Sequence, residues 1–327
     1  MNIINIKTEN NETIGFISDI HIDSVSPPSR IDDMCQTCIN KLEDALEKFK
    51  SYNVKYVFLE GDITNRISIP YFPLNYLINT FIRYKEAGIK LFSICGNHDI
   101  MRNSMDYLDR SPIQVLFNSG LVTHINLENR VVINDDILIT PVDYPEYPIP
   151  EADGKYKTNI LLCHAFINAN EFMSDERHNI KTEDIQRLKY GIIIAGHDHE
   201  EYENIKIGNT LVIRHGSLLR GTSHDYNFNR HPNVLIFEDI HNINNETIKK
   251  VEVAHKPYKD VVSNYVLNKK NKNSASGMKD ILSNLADKLS SNNVTDEDRI
   301  LGIIKTDPDL PNSARLKLLN YITEISN

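Results

Sequence analysis

The chain has 327 residues, with 36 Lys+Arg against 45 Asp+Glu, a formal net charge of −9, and 40% hydrophobic and 25% charged residues. This is the composition of an ordinary folded protein, long enough for one large domain with an appendage or for two domains. The acidic balance excludes coating DNA by charge alone, no apolar run approaches the roughly 20 residues of a membrane helix, and 4 cysteines are too few to staple such a length. The opening MNIINIKTEN has no basic stretch followed by an apolar one, so no secretory signal and no membrane association are expected. Reduced thiols in a cytoplasm are the corresponding expectation.

In chain order, short β-branched runs followed by polar clusters predict buried strands at Ile14–Ile17, Tyr56–Leu59, Leu91–Cys95, Ile137–Thr140, Asn159–Cys163 and Ile192–Ala195. Apolar residues three and four apart predict helices over Met34–Ser51 (Ile39, Leu42, Ala45, Leu46, Phe49) and Leu74–Ala87 (Leu77, Ile78, Phe81, Ile82). Strand, helix, strand, helix, strand is the pattern of a layered α/β fold. After Gly196 the runs Ile205–Ile207, Thr210–Arg214, Val234–Phe237 and Ile248–Ala254, joined by turns such as Gly208-Asn209, predict a mostly antiparallel second half. The expected core is therefore two sheets with helices outside, and the site should lie at strand ends. A small, polar stretch within 261–277 reads as a linker, and 278–327 as a helical segment. Cys35 and Cys38 fall within the first helix with no second cysteine pair, which favours packing over zinc; Cys95 and Cys163 read as core filling.

Five motifs each follow a predicted strand: Asp19-Ile20-His21, Gly61-Asp62, Gly96-Asn97-His98-Asp99, Cys163-His164-Ala165 and Gly196-His197-Asp198-His199. If the strands are neighbours, these tips gather Asp, Asn and His in one cleft. Imidazole mixed with carboxylate favours Mn, Fe, Zn and similar ions over Ca or Mg. One carboxylate between two such ions can bridge them roughly 3.5–4 Å apart, an arrangement suited to phosphoester hydrolysis. Without a cation, buried clustered Asp and His would stay unpaired.

The ordered set D-x-H, G-D, G-N-H-D, H and G-H-x-H resembles the calcineurin-like metallophosphoesterases over roughly residues 13–259. The resemblance implies a four-layer αββα sandwich, here residues 1–260, with two divalent cations, manganese first and magnesium, iron or zinc as alternatives. It implies that Asp19, His21 and His199 hold one metal, that Asn97, His164 and His197 hold the other, and that Asp62 bridges them. His98 is implied as the catalytic group assisting the leaving oxygen, and Asp99 as an orienting residue.

Within that superfamily, GDITNR, Pro70 and AGIKLFSICGNHD, together with His215-Gly216-Ser217 and Arg220, are similar to SbcD-type DNA-repair nucleases. DNA as substrate and an SbcC-type, SMC-like ATPase as partner are then expected, with a homodimer as a further assembly. Residues 278–327 are the expected docking segment, and the DNA-capping domain of the branch is expected to be absent or reduced. Arg66, His215 and Arg220 are candidate substrate contacts, Arg being suited to bidentate phosphate binding; His178 is a weaker one. Two alternatives keep the fold: a phosphatase or phosphodiesterase acting on a phosphoprotein, cyclic nucleotide or small phosphodiester, and a catalytically silent scaffold.

Overall fold

The computed structural model describes residues 2–8, 13–27, 29–145, 148–168, 179–222, 224–240 and 242–262. The expected linker, apart from its first two residues, and the helical segment 278–327 lie outside the described residues, as does His178. Met1–Val261 forms one compact unit.

Strands β1 (Asn2–Ile6) and β2 (Thr13–Ile17) precede helix α1 (Met34–Ser51), and β3 (Val54–Leu59), α2 (Tyr71–Glu86) and β4 (Lys90–Ser93) follow. Helix α3 (Pro112–Asn118) leads to β5 (Val122–His124), β6 (Asn129–Ile133), β7 (Ile137–Val142), β8 (Thr158–His164), β9 (Phe166–Asn168) and β10 (Asn179–Lys181). The order continues through α4 (Thr182–Leu188), β11 (Ile192–Gly196), β12 (Ile205–Ile207), β13 (Thr210–Ile213), β14 (Asn233–Phe237) and β15 (Ile248–Glu252).

The strands build a six-stranded sheet, β15-β14-β2-β3-β4-β5, and a seven-stranded sheet, β1-β6-β7-β8-β11-β13-β12. Strands β2, β3, β4 and β5 run parallel, as do β7, β8, β11 and β13. Antiparallel pairing is confined to β6–β7 and to the later hairpins and joins, β12–β13, β14–β15 and β14–β2.

Side-chain alternation shows why these strands read as continuous apolar runs. On β3, Tyr56 and Phe58 enter the core between the sheets, while Val57 and Leu59 pack under α1 and α2. On β8 and β11, Ile160, Leu162, Ile192 and Ile194 join the same central core, while Leu161, Cys163, Ile193 and Ala195 pack with Ile185 and Leu188 of α4. Both faces of these central strands are covered, so apolar residues are needed at nearly every position along them. Helices α1 and α2 outside one sheet and α4 outside the other give the four-layer αββα sandwich the sequence implied.

Helix α1 matches its sequence reading, and Asp33 caps it by accepting the Gln36 backbone N–H at 3.0 Å. Helix α2 starts three residues earlier than expected, because Pro73 lies in its first turn, where a missing N–H costs nothing. Strand β1 has no apolar run; it is an edge strand, mostly exposed, pairing with β6 on one side alone. Cys35 and Cys38 are buried free thiols of α1.

Candidate metal centre

The loops that follow β2, β3, β4, β8 and β11 carry the chemistry. The first three strands are neighbours in one sheet and the last two in the other, so the tips of both sheets converge. The loops after β2 and β3 are zipped together: His21 N–H donates to Asp62 O and Ile22 N–H to Ile63 O, each at 2.9 Å. Asp19, His21 and Asp62 adopt left-handed backbone at φ of 49°, 50° and 49°, and His197 lies at φ 86°. For non-glycine residues such conformations cost on the order of 1–3 kcal/mol each and mark sites where the fold holds a side chain in place.

Two groups of ligand-type side chains result. Asp19, His21, Asp62 and His199 place one ligand atom each within 4.8 Å of one another, and so do Asp62, His164 and His197. Asp62 belongs to both. Its Oδ2 lies 3.5 Å from His21 Nε2 and 3.3 Å from His164 Nε2. The His21 and His199 Nε2 atoms face each other at 2.8 Å. Asn97 joins through Oδ1, 3.1 Å from His164 Nε2.

The donor set fits cations. Asp62 Oδ2 and His21 Nδ1 are buried without a hydrogen-bond partner, which for a carboxylate oxygen is costly unless a cation answers it. Burial depresses His197 and His199 to about 3 and about 4, helped by His164 at the first and His21 at the second. Both imidazoles are therefore neutral at pH 7, the form that coordinates metals. Burial also disfavours the charged form of His164, yet Asp62 and Asp19 overcome it and raise that pKa. Burial works against the Asp62 carboxylate in the same way, but the positive field of His164 outweighs it and holds that group well below the usual carboxylate range.

Surrounding groups aim these side chains. The Glu60 carbonyl lies 2.8 Å from His164 Nδ1, turning Nε2 toward the cleft. The Glu60 carboxylate, in turn, contacts His215 Nε2 at 2.7 Å, both side chains being wholly buried. His98 N–H donates to Asp62 Oδ1 at 2.8 Å, and its Nδ1 contacts Asn65 O at 2.7 Å. The His98 ring stands edge-on to His21 at 4.8 Å, which brings it beside the first group. Asp99 accepts from Thr64 N–H and Gly96 N–H, each at 3.0 Å, and so closes the turn rather than facing the cleft. Gly96 is required there: a Cβ would lie 2.1 Å from Asp62 Oδ1.

Two candidate substrate contacts need correction. Arg220 is 3% exposed, and its guanidinium is taken up by the carbonyls of Arg230 and Lys256. Arg30, Lys41 and Arg230 in turn pin the chain of residues 217–220 through its backbone oxygens. His215 is wholly buried with its Nε2 on the Glu60 carboxylate, so it offers no surface to a substrate. Arg66 is half-exposed and held by Asp23 at 2.5 Å.

Sequence reasoning missed Glu60, Asp23, Tyr144 and Phe166. The rings of Tyr144 and Phe166 lie 5.5 and 4.1 Å from that of His197. The signal for Glu60 was its place directly before Gly61-Asp62; an acid in a buried strand tip needs a partner, and His215 is that partner.

The sequence profile of the calcineurin-like phosphoesterases matches residues 12–201. No curated protein matches the sequence. Among solved structures, the chain is similar to TT1561 of Thermus thermophilus (10% identity, TM-score 0.46), covering 74% of this chain and 99% of that one. A dimetal phosphatase from Danio rerio is similar at 13% identity and TM-score 0.43, covering 64% and 88%. The NAD nucleotidase of Haemophilus influenzae is similar at 14% identity and TM-score 0.40, covering 74% and 49%. With the matched profile covering more than half of the chain, and every ligand-type group around Asp62 lying within it, the chain belongs to the calcineurin-like phosphoesterase family and is a metal-dependent hydrolase of phosphoester bonds.

Proposed function

We propose that the substrate is DNA and that the chain is an SbcD-like nuclease subunit working with an SbcC-type ATPase. The observation that carries the chemistry is Asp62, common to both ligand groups. In this reading Asp19, His21 and His199 hold one cation, Asn97, His164 and His197 the other, and Asp62 lies between them. When bound, a pair of ions such as manganese neutralises phosphate charge and activates water for attack on phosphorus.

The chain's own residues do the rest. Asp62 is fixed by the His98 N–H, so the carboxylate cannot swing out of the shared position. His98, with Nδ1 anchored on Asn65 O, presents its other nitrogen to the cleft and gives a proton to the departing oxygen. Arg66 keeps a half-exposed guanidinium beside that same loop, placed to meet a phosphate. Catalysis then rests on positioning and charge complementarity. The DNA reading is supported by the sequence from Gly61 to Asp99 and by the His215–Ser217 element.

A second reading, a small phosphoester or phosphopeptide as substrate, is favoured by the net charge of −9, which repels a polyanion at long range. Manganese-loaded protein assayed on single-stranded DNA, bis-p-nitrophenyl phosphate and a phosphopeptide separates the two. Turnover of the DNA and the diester is expected; turnover of the phosphopeptide alone would overturn the nuclease reading.

A further inference from the structure

A second constellation of ligand types lies apart from the two groups around Asp62. Cys95 follows β4, His124 ends β5, and Asp143 follows β7, so the two sheets both contribute. Cys95 Sγ is 3.7 Å from His124 Nε2. The same nitrogen is 3.0 Å from Asp143 Oδ2 and 3.2 Å from Oδ1. One ligand atom from each residue lies within 4.8 Å of the other two.

The sulfur–nitrogen separation is that of a tetrahedral zinc site, and the nitrogen–oxygen one is a few tenths of an ångström shorter. Zinc binds Cys S at about 2.3 Å, His N at about 2.0–2.1 Å and carboxylate O at about 2.0–2.2 Å, which at tetrahedral angles puts S and N about 3.6 Å apart and N and O about 3.4 Å apart. His124 Nε2 faces both the Cys95 thiol and the Asp143 carboxylate. A cation at the centre satisfies all three atoms together.

The ligands are also held in place. Cys95 is fully buried and Asp143 nearly so. The His124 ring is stacked on Phe117, centroids 4.7 Å apart and planes within 11°. Asp143 Oδ1 accepts the Cys95 backbone N–H at 2.6 Å, which leaves Oδ2 for another partner. Asp143 also lines a groove of about 460 Å³ with Ser104, Asp106, Asn126 and Glu128.

We propose that Cys95, His124 and Asp143 form a third cation site, taking one zinc-class divalent ion together with a water. Thiolate, imidazole and carboxylate together suit zinc rather than the harder magnesium or calcium. The site is a brace. Cys95 directly precedes Gly96-Asn97-His98, and its carbonyl accepts the Tyr144 N–H at 2.9 Å, so an ion there locks the turn carrying Asn97 and His98 to the opposite sheet. The assignment does not depend on which phosphoester the enzyme cleaves.

Cobalt reads this site alone, because no sulfur lies among the seven candidate ligands around Asp62. Full-length protein stripped of metal is titrated with Co²⁺, and the near-ultraviolet thiolate-to-cobalt charge-transfer band is followed. At saturation the band is expected to correspond to one thiolate-bound cobalt per chain, displaced by Zn²⁺, retained in Asp62→Asn, and lost in Cys95→Ser and in His124→Ala. Should those last two fail to fold, the band must survive in Cys163→Ser and in the double variant Cys35→Ser/Cys38→Ser. Absence of the band in the wild-type protein, its persistence in folded Cys95→Ser, or its loss on removing Asp62 or the other cysteines would overturn the proposal.

Discussion

At the scale of single residues, the centre pays for its geometry in backbone strain and in competition between protons and cations. His98 is the sharpest case, since its backbone N–H holds Asp62 while its ring addresses the cleft. His98→Ala keeps that N–H, so the expected outcome is hydrolysis slowed roughly 10²–10⁴-fold with metal content unchanged, checked by kinetics alongside metal analysis. His164 supplies a second expectation. Against the effect of burial, its pKa is raised by Asp62 and Asp19, so the cation-free protein carries a proton there at neutral pH. A cation must displace it, so affinity rises with pH across the neutral range and falls as the medium becomes acidic. Calorimetry in buffers of different ionisation heat should find a proton released per chain on metal binding; no release would contradict the charge state assigned to His164. The convergence of these candidate ligands was legible in the sequence, because each motif pairs a strand tip with a polar side chain. The pairing of Glu60 with His215 was not, because a contact formed across 155 positions leaves no local pattern. Arg220 misled for a similar reason: an arginine that neutralises backbone carbonyls looks, in sequence, like one waiting for phosphate.

At the scale of elements, α1 crosses β2 at Gly15, and the helix can approach only because that residue lacks a side chain. A Cβ there would lie 2.4 Å from a ring carbon of Phe49, and Phe49 is fully buried. Gly15→Ala should therefore cost on the order of 1–3 kcal/mol, read by denaturant unfolding, and Phe49→Leu in the same chain should recover part of it through coupling between contacting residues. If the two effects simply add, the close approach is not what limits the site. Elements with an apolar period were read well: α1 to the residue, and β2, β3, β8 and β11 to within two. Those without one were missed. Strand β1 is an exposed edge, and β5 and β9 are three-residue strands without the hairpin turn that marks β12, of equal length, at Gly208-Asn209.

At the scale of the whole molecule, two sheets meet over a shared layer of Phe16, Phe58, Phe92 and Phe237 packed against Ile139, Ile160, Leu162 and Ile194. Ions at their common rim bind only the folded chain, so saturating manganese should raise the melting temperature and chelation lower it. A free concentration of 100 times the dissociation constant corresponds to about 2.7 kcal/mol, which calorimetry can measure. An unchanged melting temperature would mean that the side chains around Asp62 hold no cation. No helix among the described residues is long and apolar enough to cross a membrane.

The two candidate cation sets draw their ligands from opposite halves of the sandwich: Asp19, His21, Asp62 and Asn97 from one sheet's loops, His164, His197 and His199 from the other's. Any slip of one half against the other pulls the coordinating atoms out of register. A hole cut deep in the aromatic layer, far from every reacting atom, would thus register first as a lost metal and only later as a lost fold.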